Sequence, residues 1–423
     1  MHELISINGV DFIFSPFQNL ETASLGIFLR AGARIENTSL KGVAHFLEHM
    51  LFKGSQNYSH RQIKREIEGR GGSLNAFTTQ EMSVYYAHFL NRNLSLTLDI
   101  LLDMVVNPLL KSREIDKERN VILEEIKMYN DLPSSRAAAL LDGLLWRNHP
   151  LGEEIIGQTA TVKKISRSDL DNFRRKYYAP SNMIICFNGA YSKQKIVNLL
   201  SKKISKAKHR VNLNYFPPSA CRGLRVVCEQ KSLEQAHLCL GFRSVSYLSQ
   251  KRLTAQLINI ILGANMSSRL FEELREKRFL CYDISTEVRK YRDSGAFSVH
   301  LGLDKSKLAI ALTSVLRELE KIKKKKVSAT ELSRAKDYFL GQVTMSLEQP
   351  QGRMFYLGQS LLTLGKIYSL SEIKKEVMAV DVQRIRDFAQ SIFRFENMSI
   401  SYVGNIGDRA EKRIRKILKN HGS

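Results

Sequence analysis

No stretch of the 423 residues reaches the roughly 18 to 20 uninterrupted apolar residues that a membrane-spanning helix needs, so no span is expected. The opening Met1-His-Glu-Leu-Ile-Ser-Ile-Asn8 carries an early acid and lacks a basic region followed by a long apolar run. Neither a secretory signal nor an Arg-rich transit peptide is evident, and a cytoplasmic protein is expected. Paired cysteines are missing too. Cys186, Cys221, Cys228, Cys239 and Cys281 are odd in number and form no Cys-x-x-Cys pair or metal-ligand rhythm. They read as buried reduced thiols, which suits a reducing compartment and leaves any metal to other residues. Acids are the last shortfall: 42 Asp and Glu face 65 Lys and Arg, a formal net charge of +23. That excess raises nucleic-acid or anionic-surface binding as a rival class of function. The cations are spread along the chain, however, without a helix-turn-helix, zinc-finger or aromatic RNA-binding signature. The densest run, Lys321-Ile-Lys-Lys-Lys-Lys326, continues the helical spacing of Leu312, Leu316 and Leu319 and reads as a solvated helix end. No specific nucleic-acid partner is expected.

What the chain does contain is a folded composition, 43% apolar and 25% charged, at a length that implies two or more domains. Within it, Val43-Ala-His-Phe-Leu-Glu-His-Met-Leu-Phe52 holds His45, Glu48 and His49 in the order His-x-x-Glu-His. On a helix the two histidines stand one turn apart on one face, within reach of one zinc ion. Glu48 projects from the same side, where a carboxylate can take a proton from a water held by the metal. This is the inverted form of the zincin motif.

Two histidines leave a catalytic zinc one protein ligand short. The candidate segment is Glu118-Arg-Asn-Val-Ile-Leu-Glu-Glu-Ile126, in a helix predicted over about Ser112 to Asn130. Glu118 and Glu125 are two turns apart and share a face, whereas Glu124 points away. Taken alone, the pair also fits a solvated acidic stripe among Lys117 and Lys127.

With these segments the chain resembles the pitrilysin/insulinase peptidases, most closely the short two-domain branch that contains the mitochondrial processing peptidases. The resemblance continues through Asn75-Ala-Phe-Thr78 with Glu81, His149-Pro-Leu-Gly152 and Tyr177-Tyr-Ala-Pro-Ser-Asn-Met183, and covers essentially the whole chain. It implies one zinc ion per chain held by His45, His49 and Glu125, with Glu48 as catalytic base and Glu118 as an outer carboxylate supporting the metal site. Asn75, Ala76 and Phe77 look like the exposed strand that pairs with an extended substrate; by itself the segment is also an ordinary edge strand after a glycine turn. In Ser267-Ser-Arg-Leu-Phe-Glu-Glu-Leu-Arg-Glu-Lys-Arg-Phe-Leu-Cys-Tyr282, Arg275 and Tyr282 match a family pair, which implies that they hold substrate and steady the oxyanion. Without the resemblance, Arg275 reads as helix surface and Tyr282 as core.

A weak internal repeat organises the rest. Leu20-Glu-Thr-Ala-Ser-Leu-Gly-Ile-Phe-Leu-Arg30 resembles Leu233-Glu-Gln-Ala-His-Leu-Cys-Leu-Gly-Phe-Arg243, both strand-like and each followed by a turn and an apolar helix. With a two-residue gap, the metal residues fall opposite Gln256, Asn259 and Ile260, so the second copy has no zinc site. The expected domains are a catalytic zinc-binding domain over 1–205, a linker over 206–222, and a homologous non-metal domain over 223–423 that completes the substrate cavity. Alternation in Met82–Phe89 and Ala296–Leu301 predicts half-buried antiparallel strands, and Leu94–Met104 a helix packed on a sheet. The fold class is α+β: two homologous domains, each a mainly antiparallel sheet packed with helices, facing each other across a cavity. The expected function is a zinc-dependent endopeptidase for peptides or unfolded segments, working as a homodimer or as a heterodimer with a related chain. The alternative is a catalytically silent structural or partner subunit of a peptidase complex.

Overall fold

Runs of β-branched and aromatic residues set the strands. The computed structural model describes residues 2–17, 20–206, 211–405 and 407–422; of the predicted linker 206–222, residues 207–210 lie outside the described residues. The first sheet comprises β1 (Glu3–Ile7), β2 (Val10–Pro16), β3 (Thr22–Leu29), β4 (Ser73–Thr78), β5 (Ser83–Leu90) and β6 (Met183–Gly189), in the order β1-β2-β6-β3-β5-β4. The second comprises β7 (Arg225–Gln230), β8 (Gln235–Ser244), β9 (Asp283–Lys290), β10 (Gly295–Asp304) and β11 (Ser399–Gly404), in the order β7-β11-β8-β10-β9. Setting β1 aside, the two orders coincide strand for strand. The single parallel pair, β2 with β6 or β7 with β11, falls in the same place, and every other pairing is antiparallel. The repeat glimpsed at Leu20–Arg30 and Leu233–Arg243 is therefore the central strand of each sheet.

The helices packed on the two sheets include α1 (Val43–Leu51), α2 (Leu94–Val106), α3 (Ser112–Asp131), α4 (Pro133–Leu145), α5 (Arg252–Leu262), α6 (Leu308–Lys324) and α7 (Pro350–Leu364). The chain divides into two compact units, each with its own sheet and helices, and the fold is α+β. The first unit takes Met1–Lys127, Glu154–Tyr215 and Thr344–Ile367; the second takes Met128–Glu153, Phe216–Val343 and Tyr368–Ser423.

Each unit thus recruits a helix from the opposite half of the sequence. In the first, Met354, Leu357 and Leu361 of α7 pack with Ile13, Phe28, Val84 and Ile184. In the second, Ala137, Leu141 and Leu145 of α4 pack with Cys239, Ala296 and Val403. The other sheet faces carry the main cores, α1, α2 and α3 in the first unit and α5 and α6 in the second. Covering both faces buries β3 and β8 over most of their length. The strands predicted to be half-buried, β5 and β10, are mostly buried for the same reason.

All five cysteines are free; Cys186, Cys239 and Cys281 are buried, while Cys221 and Cys228 are half-buried rather than buried as expected. The basic run is a helix end: α6 stops at Lys324, with Lys321 paired to Glu318 at 2.6 Å and Lys323 to Glu320 at 2.8 Å. Among the described residues no helix is long and apolar enough to cross a membrane.

Candidate metal centre and active site

In α1, Val43, Ala44, Phe46, Leu47, Met50 and Leu51 are buried, which turns His45, Glu48 and His49 together toward the opposite face. Glu36 fixes the start of this helix by accepting hydrogen bonds from the backbone N–H of Gly42 at 2.9 Å and of Ala44 at 2.8 Å. A carboxylate there satisfies open helix donors and complements the dipole. Gly42 has φ +95°, and a Cβ on it would lie 2.7 Å from the Ile156 carbonyl oxygen, so a larger residue would displace the helix that carries the histidines.

Helix α3 supplies the carboxylates. Its buried stripe is Ile115, Glu118, Ile122 and Ile126, and Glu125 borders it. Glu124 is 71% exposed and pairs with Lys127. The helix covers Ser112–Asp131, within a residue of the predicted end.

The Nε2 atoms of His45 and His49 lie 3.9 and 3.7 Å from Oε2 of Glu125, and the two rings are 4.5 Å apart. Those distances are too long for hydrogen bonds and a few tenths above the ~3.3 Å edge of a tetrahedron with zinc-ligand bonds of 2.0–2.1 Å. His45, His49 and Glu125 are the one group of this kind among the described residues. Glu118 accepts a hydrogen bond from Nδ1 of His49 at 2.9 Å. A carboxylate only accepts, so Nδ1 carries the hydrogen and the Nε2 lone pair is left toward the group. Burial, followed by the neighbouring His49, lowers the pKa of His45 to about 3, which keeps its imidazole neutral at physiological pH. The donor set fits zinc.

Glu48 stands beside this group. Its carboxyl is pushed above the usual range, chiefly by burial and also by Glu125, while a hydrogen bond from Thr78 and the nearby His49 pull it back. Thr78 Oγ1 donates to Glu48 Oε2 at 2.5 Å, tying the end of β4 to the carboxylate. Behind it, the hydroxyls of Tyr85 and Tyr178 bond at 2.9 Å, and burial raises both phenols, Tyr178 to about 12.

Strand β4 is an edge strand, hydrogen-bonded to β5 on one side. Asn75 is exposed and its Oδ1 accepts from the N–H of Ala76 at 2.8 Å, while Phe77 packs edge-on against Tyr86 at 6.2 Å. Arg275 and Tyr282 belong to the second unit, where they line a recess of about 680 Å³ together with Gln235, Asp304 and Lys307. Arg275 lies in a π-helical stretch, Phe271–Lys277, with its guanidinium 4.8 Å from the Phe271 ring. Such wide turns are uncommon and recur at functional positions. Tyr282 is 47% exposed, which disposes of the core reading.

The second copy of the motif is built differently. Gln256, opposite His45, takes a hydrogen bond from Nζ of Lys290 at 3.3 Å, and Asn259 is buried with its Oδ1 unpartnered. An ammonium group stands against the residue that replaces a ligand. Sequence reasoning missed Lys53, whose Nζ lies 2.6 Å from Glu118 Oε2, although it follows His49 by one helical turn. It also missed the pairing of Thr78 with Glu48, for which a separation of thirty positions gives no local signal. His149 is structural: Nε2 bonds the Phe216 carbonyl at 3.1 Å and Nδ1 accepts from the Leu151 N–H.

Residues 15–159 match the insulinase (peptidase family M16) domain and residues 164–339 the peptidase M16 inactive domain. An uncharacterized zinc protease of Bacillus subtilis (strain 168) is 31% identical over 408 residues, covering 95% of this chain and 97% of that protein. One from Streptomyces coelicolor is 29% identical over 413 residues, 96% of this chain and 90% of the relative. A protease from Helicobacter pylori has the same fold, with a TM-score of 0.90 at 20% identity over 96% of this chain and 99% of that one. The chain belongs to the insulinase family of peptidases, family M16.

Proposed function

We propose that the chain is a zinc-dependent endopeptidase acting on peptides or unfolded segments. The observation that carries the reading is the convergence of His45 Nε2, His49 Nε2 and Glu125 Oε2 beside the buried carboxylate of Glu48. His45, His49 and Glu125 would hold one zinc ion per chain, and Glu118 would orient His49. Bound zinc polarises a scissile carbonyl and lowers the pKa of water toward about 7. Glu48 is the general base: burial makes its carboxylate more basic, and Thr78 holds it in one orientation. It takes the proton of the attacking water and passes it to the leaving amine.

Asn75, Ala76 and Phe77 present the free edge of β4 to an extended substrate, and Asn75 Oδ1 keeps the Ala76 N–H satisfied until a substrate carbonyl replaces it. Main-chain pairing of this kind grips peptides with modest regard for sequence. We assign residues 223–423, apart from the Thr344–Ile367 segment that belongs to the first unit, to the non-metal domain, in which Arg275 and Tyr282 bind substrate and Tyr282 donates to the oxyanion. We place the protein in the cytoplasm, in keeping with five free thiols, as a homodimer or a heterodimer with a related chain.

Elemental analysis together with a peptide-library digest tests the assignment. About one zinc per chain is expected, with cleavage by the parent and none by Glu48→Gln. Absence of stoichiometric metal and of cleavage would favour a silent partner subunit instead.

A further inference from the structure

Four side chains of the second unit line up from the sheet surface to Tyr282. Asp283 Oδ2 lies 3.3 Å from His300 Nδ1; His300 Nε2 lies 3.2 Å from His237 Nδ1; His237 Nε2 lies 3.3 Å from the Tyr282 hydroxyl. The register explains the row. His237 on β8 and Asp283 on β9 both pair with Gly302 of the strand between them, and His300 stands two residues earlier on the same face. The Tyr282 N–H bonds the Gly302 carbonyl at 3.1 Å, so its ring lies back over that residue. A Cβ on Gly302 would come within 2.4 Å of the Tyr282 hydroxyl oxygen, and only glycine lets the phenol reach His237.

Hydrogen-bond polarity along the row is fixed from its acidic end. The Asp283 carboxylate accepts, so neutral His300 carries its hydrogen on Nδ1 and accepts at Nε2. His237 then donates from Nδ1 and accepts at Nε2, which takes the Tyr282 O–H. In this neutral row the Tyr282 hydroxyl gives its proton inward and offers only lone pairs to the recess. One added proton reverses it. His300 becomes an imidazolium donating from both nitrogens, His237 shifts to Nε2–H, and the Tyr282 oxygen accepts from His237 while its own O–H points outward. Proton count and charge balance: one proton enters from solvent and one positive charge rests beside Asp283.

We propose that His237 and His300 are positioning residues that set which way the Tyr282 hydroxyl donates, and that proton uptake by this imidazole pair turns it outward to the substrate oxyanion. The inference rests on the reading of Tyr282 as an oxyanion donor given above. Burial lowers the pKa of both imidazoles, aided at His237 by His300 and opposed at both by Asp283, so the pair is neutral at pH 7 and takes up its proton below the ordinary histidine range. Other charges on the packed elements are engaged elsewhere. Asp142 of α4 is held by Arg289 of β9 at 2.5 Å, Arg136 of α4 by Glu229 of β7 at 2.7 Å, and Glu287 of β9 lies 3.4 Å from Arg289. Around the recess, Lys307 Nζ bonds the Phe279 carbonyl at 2.8 Å, Arg275 lies over Phe271, Asp304 accepts from the Ser306 N–H at 2.8 Å, and Glu234 and Glu276 complete the charged lining.

The test is the ratio of kcat with Tyr282 to kcat with Tyr282→Phe, taken across pH in the parent, His300→Gln, His237→Gln and Asp283→Asn backgrounds. Taking the ratio cancels the pH limbs of the metal centre. In the parent, the ratio should climb as pH falls from about 8 to about 5.5, by at most about tenfold per pH unit. In both glutamine backgrounds it should be flat. In Asp283→Asn, an exposed change that spares folding, the climb should move to lower pH. Nitrogen-15 NMR of the imidazoles at high pH gives a readout free of activity: both histidines should be Nδ1–H tautomers. A flat parent ratio well above one, an equal climb in the glutamine backgrounds, or an Nε2–H tautomer at either position would overturn the relay. A ratio near one at every pH would instead overturn Tyr282 as oxyanion donor, and the catalytic inference with it.

Discussion

Glu118 takes the His49 Nδ1 hydrogen at 2.9 Å on one oxygen and the Lys53 ammonium at 2.6 Å on the other, so one buried carboxylate sets the tautomer of a metal-ligand candidate. Burial pushes its pKa up, but the bonds from His49 and Lys53 outweigh that and hold it below the usual range. It is therefore ionised wherever the protein is folded near neutrality. Glu118→Gln keeps the shape but can turn an N–H toward His49, and zinc affinity should fall about 10- to 100-fold. Lys53→Met should cost less, since it loosens Glu118 without touching the imidazole. Competition with a chelator measures both, and unchanged affinity in Glu118→Gln would remove Glu118 from the site.

Neighbouring carboxylates on α3 give an internal control. Glu125 Oε2 lies within 3.9 Å of both imidazoles, whereas Glu124 is bonded to Lys127 at 2.7 Å in solvent. Glu125→Gln should abolish stoichiometric zinc, and Glu124→Gln should leave it intact with stability within about 0.5 kcal/mol of the parent. Equal metal loss in the two variants would show that the helix face has been misassigned.

Thr78 should be visible in the pH profile of Glu48. As a base Glu48 works above its pKa, which burial raises and the Thr78 hydroxyl lowers. Removing that donor in Thr78→Val leaves the desolvation opposed only by His49, so the acid limb of kcat/KM should move to higher pH, with little change on the alkaline side. Glu48→Gln should retain zinc and lose turnover at every pH. An acid limb unmoved in Thr78→Val would mean that another group sets it.

The parts legible in the sequence were those governed by helical period. His45, Glu48 and His49 on one face, and Glu118 with Glu125 against Glu124, follow from 3.6 residues per turn. The duplicated strand was legible because β3 and β8 each lie at the centre of a sheet and keep an apolar pattern. What escaped depends on contacts distant in sequence. Nothing local in Pro350–Leu364 says that Met354 packs against Phe28, nor in Pro133–Leu145 that Leu141 packs in a cluster with Cys239. The row from Asp283 to Tyr282 needs three strands in register before its members meet. A period of 2 gives the face of each strand but not which strands lie side by side.

Lys290 gives the last prediction, because it stands where the second copy has given up its metal residues. Burial, and then the nearby Arg252, lower its pKa to about 8, and its partner is the neutral Gln256 at 3.3 Å. In the unfolded chain a lysine titrates near 10.4. Below pH 8 the amine is charged in both states and its desolvation weighs fully against folding. Between about 8 and 10.4 the unfolded state binds more protons than the folded one, so stability rises with pH across that window. Lys290→Met removes the buried charge at similar length, and should stabilise the protein at pH 7 by about 1–2 kcal/mol after solvent screening. The gain should shrink as pH rises through 8 and vanish above about 10.4. Thermal unfolding at pH 7 and at pH 10.5 measures it. A Met variant less stable than the parent at pH 7 would show that Lys290 contributes net stability through Gln256; a gain of equal size at both pH values would show that packing, and not the buried charge, is responsible.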